Sequence, residues 1–215
     1  MKNIRKILLL SLALTVAACG KDDATKDYGF AKIYIPQATV TGLDNSYPIP
    51  AGPFYQNSVY TCKYDKQSGQ LLIALGVIRS GYFSKQKGYS VDLGLCPGET
   101  DRKLAEYAAK GTPTAALPAE LCNIPVVISA PEGESGGTSY VGVDLKALAS
   151  RQQSIYSDGR YKLLVLGLEI SNPTEYELAD NYTSVVIVLD LNSEHWDNVA
   201  ENKPESEVRN LFPIY

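Results

Sequence analysis

The stretch "QLLIALGVIRS", residues 70–80, is apolar or glycine at every position from Leu71 to Ile78, and "TSVVIVLDL", residues 183–191, repeats that pattern. Apolar runs of this length, rich in Val, Ile and Leu, are typical of strands that are covered on both faces. We therefore expect both segments to lie in the middle of a sheet.

Six further segments are strand-like, and Gly, Pro, Asn, Asp or Ser separate most of them. "GYSVDLGLC" alternates, so that Val91, Leu93 and Leu95 share one face, as in a strand with one wet side. Many short strands between turns predict an all-β fold, an immunoglobulin-like β-sandwich of about eight strands. The six are "AKIYIPQATV" (31–40), "NSVYTCKY" (57–64), "GYSVDLGLC" (88–96), "IPVVISA" (124–130), "TSYVGVDL" (138–145) and "RYKLLVLGLEI" (160–170).

One segment, "TDRKLAEYAAKG" (100–111), predicts a short inserted helix. Thr100 is a suitable N-cap, Leu104 and Tyr107 fall on one face at helical spacing, and Gly111 ends the pattern. We expect Leu104 or Tyr107 to seat this helix on the sandwich. A second brief helical turn is expected in "LKALASRQ" (145–152).

The first eighteen residues are typical of a secretory signal. A basic start precedes a mainly apolar run of ten residues, 7–16, whose length as a helix is only about 15 Å, too short to span a bilayer. Ala17 and Ala18 then lead to Cys19, as in a bacterial lipobox. We expect Cys19 to carry the lipid that anchors the mature protein to a membrane, because two or more acyl chains hold a protein stably.

The predicted division of the chain is signal peptide 1–18, flexible tether 19–29, β-sandwich domain 30–191 and C-terminal tail 192–215. Loss of the signal removes three basic residues and leaves 17 basic and 24 acidic ones, a net charge of −7. Nucleic acid demands a basic face, so it is not an expected partner. The tail ends in "LFPIY" (211–215), whose apolar surface predicts docking either on this domain or on a partner, with the polar stretch before it looping freely.

Four stretches resemble a Bacteroidetes family, the domain of unknown function 1735. They are "YIPQATVTGLDNSYPIPAG" (34–52), "LAEYAAKGTPTAALPAEL" (104–121), "IPVVISAPEGESGGTSYVGVDLKAL" (124–148) and "DGRYKLLVLGLEISN" (158–172). The third resembles the family's strand and loop, whereas "RYKLLVLGLEI" lacks the family's Leu-Pro pair. The lysine and acidic pair after Cys19 also resembles the signal that sends Bacteroidetes lipoproteins to the cell-surface face of the outer membrane.

The resemblance implies a β-sandwich and, by association alone, a glycan-related role at the cell surface. Three hypotheses follow. The first is a non-catalytic, surface-anchored module that contacts a glycan or an outer-membrane component of a glycan-uptake system. The second is a structural, adhesion or assembly subunit that binds protein through a sheet edge. The third is a minimal glycoside hydrolase.

Catalytic motifs are absent from the sequence. The single histidine, His195, lies in the tail, and no zinc motif, Walker loop or dinucleotide fingerprint occurs. The 24 acidic residues always contain some carboxylate pair, so such a pair carries no information. We expect no enzyme activity, no cofactor and no metal site.

Three cysteines remain after Cys19. Cys62 lies between Tyr60 and Tyr64 and is expected to be buried. Cys96 and Cys122 bracket the predicted helix, so in an oxidising compartment a disulfide between them is possible, with free thiols as the alternative.

Aromatic residues in loops are the candidate ligand contacts. Tyr47, Phe54 and Tyr55 occur in the Pro- and Gly-rich "SYPIPAGPFYQ" (46–56), and Trp196 occurs in "EHWDN" (194–198). Exposed aromatic rings stack on sugar rings. The alternative is that these rings pack on the sandwich as a lid.

Overall fold

The computed structural model describes residues 30–42, 44–51, 62–81, 85–198 and 204–213. The predicted signal peptide and tether, with Cys19, Phe54 and Tyr55, lie outside these ranges, and so does the start of the predicted strand 57–64.

Fourteen strands and four α-helices make up the regular structure of these ranges. The strands are β1 Lys32–Tyr34, β2 Ser46–Ile49, β3 Cys62–Asp65, β4 Gln70–Arg79, β5 Tyr89–Leu95, β6 Thr114–Ala116, β7 Cys122–Asn123, β8 Val127–Ala130, β9 Gly136–Asp144, β10 Tyr156–Ser157, β11 Arg160–Tyr161, β12 Leu163–Ser171, β13 Glu177–Leu178 and β14 Ser184–Leu189. The helices are α1 Pro97–Ala109, α2 Leu145–Ala149, α3 Gln152–Ile155 and α4 Pro204–Leu211, with 3₁₀ turns at Pro36–Thr39, Ala119–Leu121 and Glu194–Asn198.

Two six-stranded sheets form a sandwich, which confirms the predicted all-β class. The first sheet has the order β13-β1-β4-β9-β7, with β3 also pairing β4, and the second has the order β2-β14-β12-β5-β8, with β6 also pairing β12. The two strands chosen from their apolar runs, β4 and β14, are flanked by strands on both sides, as predicted. β14 is almost wholly buried, whereas Leu72 and Ile78 on the outer face of β4 are only half-buried. The additional strands beyond the eight expected are short, mostly two to four residues.

Several predicted strand ends shift for local reasons. The segment 31–40 leaves the sheet after Tyr34, because Pro36 has no amide to donate and starts a 3₁₀ turn. In β5, Val91 and Leu93 are buried as predicted, but Leu95 is 45% exposed because the strand ends there.

The central strands β4 and β12 each pair with two different strands along one side. β4 pairs with β1 and β3, and β12 pairs with β5 and β6. A side chain from elsewhere in the chain occupies the gap between each pair of neighbours. In β4 the amide of Gly76 donates to Oε1 of the buried Gln37, at 3.1 Å. In β12 the amide of Gly167 donates to Oγ1 of Thr100, at 2.8 Å, and its carbonyl accepts from the amide of Cys96. These contacts satisfy the backbone groups that the broken ladder leaves open.

The inserted helix α1 begins at Pro97, three residues before the predicted N-cap. Pro97 fits the first turn, where no amide partner is needed. Thr100 therefore lies inside the helix, and its hydroxyl serves β12 instead. Leu104 and Tyr107 pack against Val165, Val186 and Val188 on the outer face of the second sheet, which agrees with the predicted seating.

The C-terminal tail is ordered against the sandwich where it is described. Residues 204–211 form α4, so the expectation that the polar stretch loops freely is wrong for this part. Val208 and Phe212 are fully buried, and the Phe212 ring meets the Tyr161 ring edge-on at 5.4 Å between centroids. The predicted docking thus occurs in cis for Phe212, while the final two residues lie outside the described ranges.

Candidate functional site

The structure places two of the predicted ligand contacts in the core. Tyr47 and Trp196 are both 0% exposed. Trp196 donates from Nε1 to the carbonyl of Asp190 at 3.0 Å, so even its polar atom is used internally. Neither ring offers a face to a ligand, because each fills the interior instead. For these two residues the packing alternative is the correct one.

All three described cysteines are free thiols, so no Cys96–Cys122 disulfide is formed. Cys96 precedes α1, whereas the Cys122 thiol donates to the carbonyl of Pro118 at 3.5 Å. Burial raises the pKa of Cys122 to about 12, and it does the same for Cys62, which is buried as predicted. Such thiols are poor nucleophiles.

A polar recess of about 370 Å³ lies where the second sheet, α1 and the β13–β14 loop meet. We call it the polar pocket. It is lined by Asn45, Glu99, Arg102, Asp180, Asn181, Tyr182, Thr183 and Ser184. None of these residues was a candidate from the sequence.

Three separate segments bring these side chains together. Asn45 precedes β2, whose register pairs Ser46 with Val186 of β14. Glu99 and Arg102 are three residues apart and share the face of α1 at its N-terminal end. Asn45 and Tyr182 both have positive φ, 49° and 64°. Non-glycine residues rarely adopt this conformation, and it concentrates at functional sites.

One carboxylate oxygen organises the floor of the polar pocket. Oε2 of Glu99 accepts from Arg102 Nη2 at 2.7 Å, from Arg102 Nε at 2.9 Å and from Asn45 Nδ2 at 3.1 Å. Arg102 Nη2 also donates to Asn45 Oδ1 at 2.7 Å. Asn45 Nδ2 donates further to the Ser184 hydroxyl at 3.0 Å. These charge-assisted bonds fix three planar groups relative to one another.

A buried lysine supports this network from behind. Lys103 is 0% exposed, and its Nζ donates to Glu106 Oε2 at 2.8 Å and to Asp44 Oδ2 at 3.3 Å. Burial by itself would raise the pKa of Asp44, but hydrogen bonds from Thr41 and the Ser46 amide, with the charge of Lys103, lower it to about 2. Asp44 therefore stays ionised and holds the chain next to Asn45 in place.

The carboxyl group of Glu99 is also held ionised. Its partial burial acts to raise the pKa, but the hydrogen bonds from Arg102 and Asn45 and the charge of Arg102 outweigh burial and lower the pKa. Glu99 thus presents an anionic acceptor at neutral pH.

Several polar groups of the pocket have no partner among the residues that the structure describes. Within these ranges Oε1 of Glu99 has no donor, and Nη1 of Arg102 has no acceptor at hydrogen-bonding distance, its nearest carboxylate being Glu106 at 3.7 Å. The side chains of Asn181, Tyr182 and Thr183 make no hydrogen bond within the described ranges. A fixed inner network thus carries unused donors and acceptors on its solvent side.

The described ranges hold neither a metal-binding cluster nor a membrane-spanning helix. No group of three or more His, Cys, Asp or Glu side chains is placed to hold a metal ion there. Within the same ranges, no helix combines the length and the apolar composition needed to cross a bilayer.

Comparison with known proteins gives structural neighbours alone. No family model and no curated protein matches the chain. A putative carbohydrate binding protein from Bacteroides ovatus is 11% identical, with a TM-score of 0.43 over 74% of this chain and 36% of its own. A multidomain protein including DUF1735, also from Bacteroides ovatus, is 13% identical, with a TM-score of 0.44 over 74% of this chain and 44% of its own.

A third neighbour, an auxiliary nutrient binding protein from Bacteroides thetaiotaomicron, is 14% identical, with a TM-score of 0.42 over 70% of this chain and 46% of its own. The chain therefore spans less than half the length of each of these neighbours. One of them contains the domain that the sequence resembles. At such identities the likeness concerns the fold alone.

Proposed function

We propose that this protein is a non-catalytic glycan-binding module and that the polar pocket contacts the glycan. The observation that carries the proposal is the arrangement around Glu99. A carboxylate, an amide and a guanidinium group are fixed by mutual hydrogen bonds, while Oε1 of Glu99 accepts no hydrogen bond from the described residues and the Arg102 side chain is 45% exposed.

Sugar chemistry fits these open groups. Each hydroxyl of a sugar both donates and accepts a hydrogen bond, so a sugar needs a pocket that offers both kinds of partner. Glu99 supplies an acceptor, Arg102 a donor, and Asn181 and Thr183 supply both. Because the inner network is already formed, binding would not have to order these side chains, and preorganisation of this kind favours affinity.

The charge state of the pocket favours binding over hydrolysis. A glycosidase needs one carboxyl group with a raised pKa as proton donor, beside a second ionised one. The pKa of Glu99 is lowered instead, and so are those of Asp44 and Glu106 in the network behind it. A carboxylate that stays ionised accepts hydrogen bonds from hydroxyl groups but does not protonate a leaving oxygen.

The edges of the sheets favour a glycan over a protein strand. Pairing with another chain needs a long open edge. Among the described strands of the two sheets that pair on one side only, β2, β3 and β8 have four residues each, β6 has three, and β7 and β13 have two each. β9 has an unpaired side at residues 136–141, and two of its residues there, Gly136 and Gly137, are glycines. Pro48 also removes one amide from β2.

We further propose that Cys19 anchors this module at the outer-membrane surface, where the glycan would be handed to an uptake system. The tether 19–29 would give the sandwich reach from the membrane. Cys19→Ala should then move the protein from the membrane fraction to the soluble fraction without changing its melting temperature. Equal membrane retention of the variant would contradict the anchor.

The pocket is tested by affinity electrophoresis of residues 20–215 through gels that contain xylan, β-glucan, pullulan, α-mannan or arabinogalactan. We expect at least one polysaccharide to retard the wild type, and Thr183→Val to lose most of that retardation. The matched control is Thr112→Val, because Thr112 is also half-buried, makes no side-chain hydrogen bond in the described ranges and lies at the opposite end of α1. If Thr183→Val and Thr112→Val are both retarded as much as the wild type, the claim that the polar pocket binds the glycan is refuted. A pull-down from outer-membrane extract would test the alternative that the protein binds another protein.

A further inference from the structure

A second recess, of about 490 Å³, lies on the outer face of the first sheet. We call it the outer groove. It is lined by Tyr34, Pro36, Thr39, Gly76, Val77, Ile78 and residues 134–138. Strand geometry places Tyr34 on this face, because its neighbour Ile33 is fully buried between the sheets and side chains alternate along a strand.

The lining of the outer groove is amphipathic. The ring of Tyr34 stands next to Ile78, its cross-strand partner, and both are only half-buried. On the opposite side lie Glu134, Ser135 and Thr138, whose side chains make no hydrogen bond within the described part of the chain. An aromatic wall faced by unused hydroxyl and carboxylate groups matches a sugar ring, which has an apolar face and a polar edge.

Strand β1 joins the outer groove to the polar pocket. Lys32 and Tyr34 point to the same outer face and stand about 7 Å apart along the strand. Lys32 forms an ion pair at 3.1 Å with Asp180, which lines the polar pocket, while Tyr34 lines the outer groove. The amide after Tyr34, that of Ile35, donates at 2.8 Å to the carbonyl of Tyr182, another residue of the polar pocket.

We propose that the outer groove and the polar pocket bind successive sugars of one extended glycan chain, so that the ligand is an oligosaccharide or polysaccharide and not a single sugar. This inference rests on the proposed function and names the ligand class of its site. The Tyr34 ring stacks on one sugar, and the groups around Glu99 bind hydroxyls of another. Affinity should therefore rise steeply once the chain is long enough to reach both recesses.

The test is titration calorimetry of the wild type with cello-, xylo-, malto- and manno-oligosaccharides of one to six units. We expect binding that strengthens at least tenfold between the shortest and the longest members of one series. Tyr34→Leu should remove about tenfold of the affinity for the longest member and leave that for the shortest unchanged, since leucine keeps the apolar contact but not the flat ring.

The matched control is Tyr140→Leu. Tyr140 is exposed on the outer face of the same sheet but lines neither recess. A second variant, Thr138→Val, removes a hydroxyl from the groove and keeps the β-branched shape that suits β9. It should behave like Tyr34→Leu, and equal melting temperatures would show that both variants are folded.

The outcomes separate this inference from the proposed function. The claim that one glycan chain occupies both recesses would be overturned if affinity did not depend on chain length, or if Tyr34→Leu and Thr138→Val left it unchanged. Either result would still be compatible with glycan binding by the polar pocket alone. If none of the four series and none of the polysaccharides binds the wild type, the proposed function fails, and this inference fails with it.

Discussion

The C-terminal cluster and the polar pocket use their side chains in opposite ways. The C-terminal cluster consists of Trp196, Val208 and Phe212 with Tyr161, all buried, and its polar atoms find partners within the chain. The polar pocket is lined by polar side chains. Those of Asn45, Glu99 and Arg102 hydrogen-bond to one another on the inner side, and the recess lies on their other side. Aromatic residues in the tail thus stabilise the fold, whereas a threonine, an asparagine and an ion pair remain available to a ligand.

This difference separates stability from binding, and each can be tested without the other. A buried, fully bonded group should affect unfolding when it is changed and leave ligand affinity intact. A half-exposed group with unused hydrogen-bonding capacity should do the reverse.

The largest expected effect on stability is at Trp196. Replacement of this fully buried side chain by alanine should lower the free energy of unfolding by about 3 to 5 kcal/mol, because a large cavity remains and the Asp190 carbonyl loses its donor. Urea denaturation measures the loss. Should the protein then be too unstable to study, Trp196→Phe gives a smaller change in the same direction, and an unchanged midpoint for it would contradict the buried placement.

The second-largest loss of stability is expected on replacement of Lys103. Lys103→Ala removes the cation that pairs with the Asp44 carboxylate and also the buried aliphatic stem, so we expect a loss of about 2 kcal/mol. Lys110→Ala is the control, because Lys110 pairs with the same Glu106 but is exposed, and exposed pairs contribute little. Equal losses in the two variants, measured by denaturation, would mean that burial of Lys103 has no special role.

Leu104 should have a smaller effect. The sequence alone suggested about 2 to 5 kcal/mol for truncation to alanine if the side chain were fully buried. In the structure Leu104 is half-buried on Val165, Val186 and Val188, so we expect about 1 to 2 kcal/mol. A thermal melt of Leu104→Ala that matches the wild type would indicate that α1 lies loosely on the second sheet.

The lowered pKa of Asp44 predicts that the stability of the protein depends weakly on pH in the acid range. Its pKa is lowered in the folded protein from 3.8 to about 2, so the stabilisation is complete above the unfolded value and is lost as the pH falls from about 4 to 2. Because Asp44 is partly exposed, solvent screening keeps the effect modest. Asp44→Asn should flatten this part of the curve of melting temperature against pH, and a variant curve parallel to that of the wild type would argue against the assignment.

The sandwich could be predicted from the sequence because the patterns that indicate its strands and helix each lie within one short segment. The apolar runs of β4 and β14 and the helical spacing of Leu104 and Tyr107 are visible in one segment at a time, and each was found where expected. The start of α1 was missed because Thr100 suits an N-cap as well as it suits its actual contact with Gly167, which is distant in sequence.

The candidate site could not be predicted in the same way. Asn45, Glu99 and Thr183 come from three segments that meet only in the folded protein, and no spacing between them forms a motif. Trp196 was predicted to be a ligand contact because its sequence neighbours are polar. In the structure the tail forms α4 and Trp196 is fully buried. The one local hint is the Glu99 and Arg102 pair, whose helical spacing is visible in the sequence but is common in structural ion pairs.

The most direct test of glycan binding by the polar pocket measures unfolding and glycan affinity for two variants of the chain. Asn181→Ala with Thr183→Val changes the pocket where side chains make no internal hydrogen bond, and Trp196→Phe changes the C-terminal cluster. We predict that the pocket variant unfolds within about 0.5 kcal/mol of the wild type but loses at least tenfold of its affinity for the retarding polysaccharide. Trp196→Phe should unfold more easily and bind as the wild type does. Wild-type affinity in the pocket variant would contradict the claim that this pocket binds a glycan.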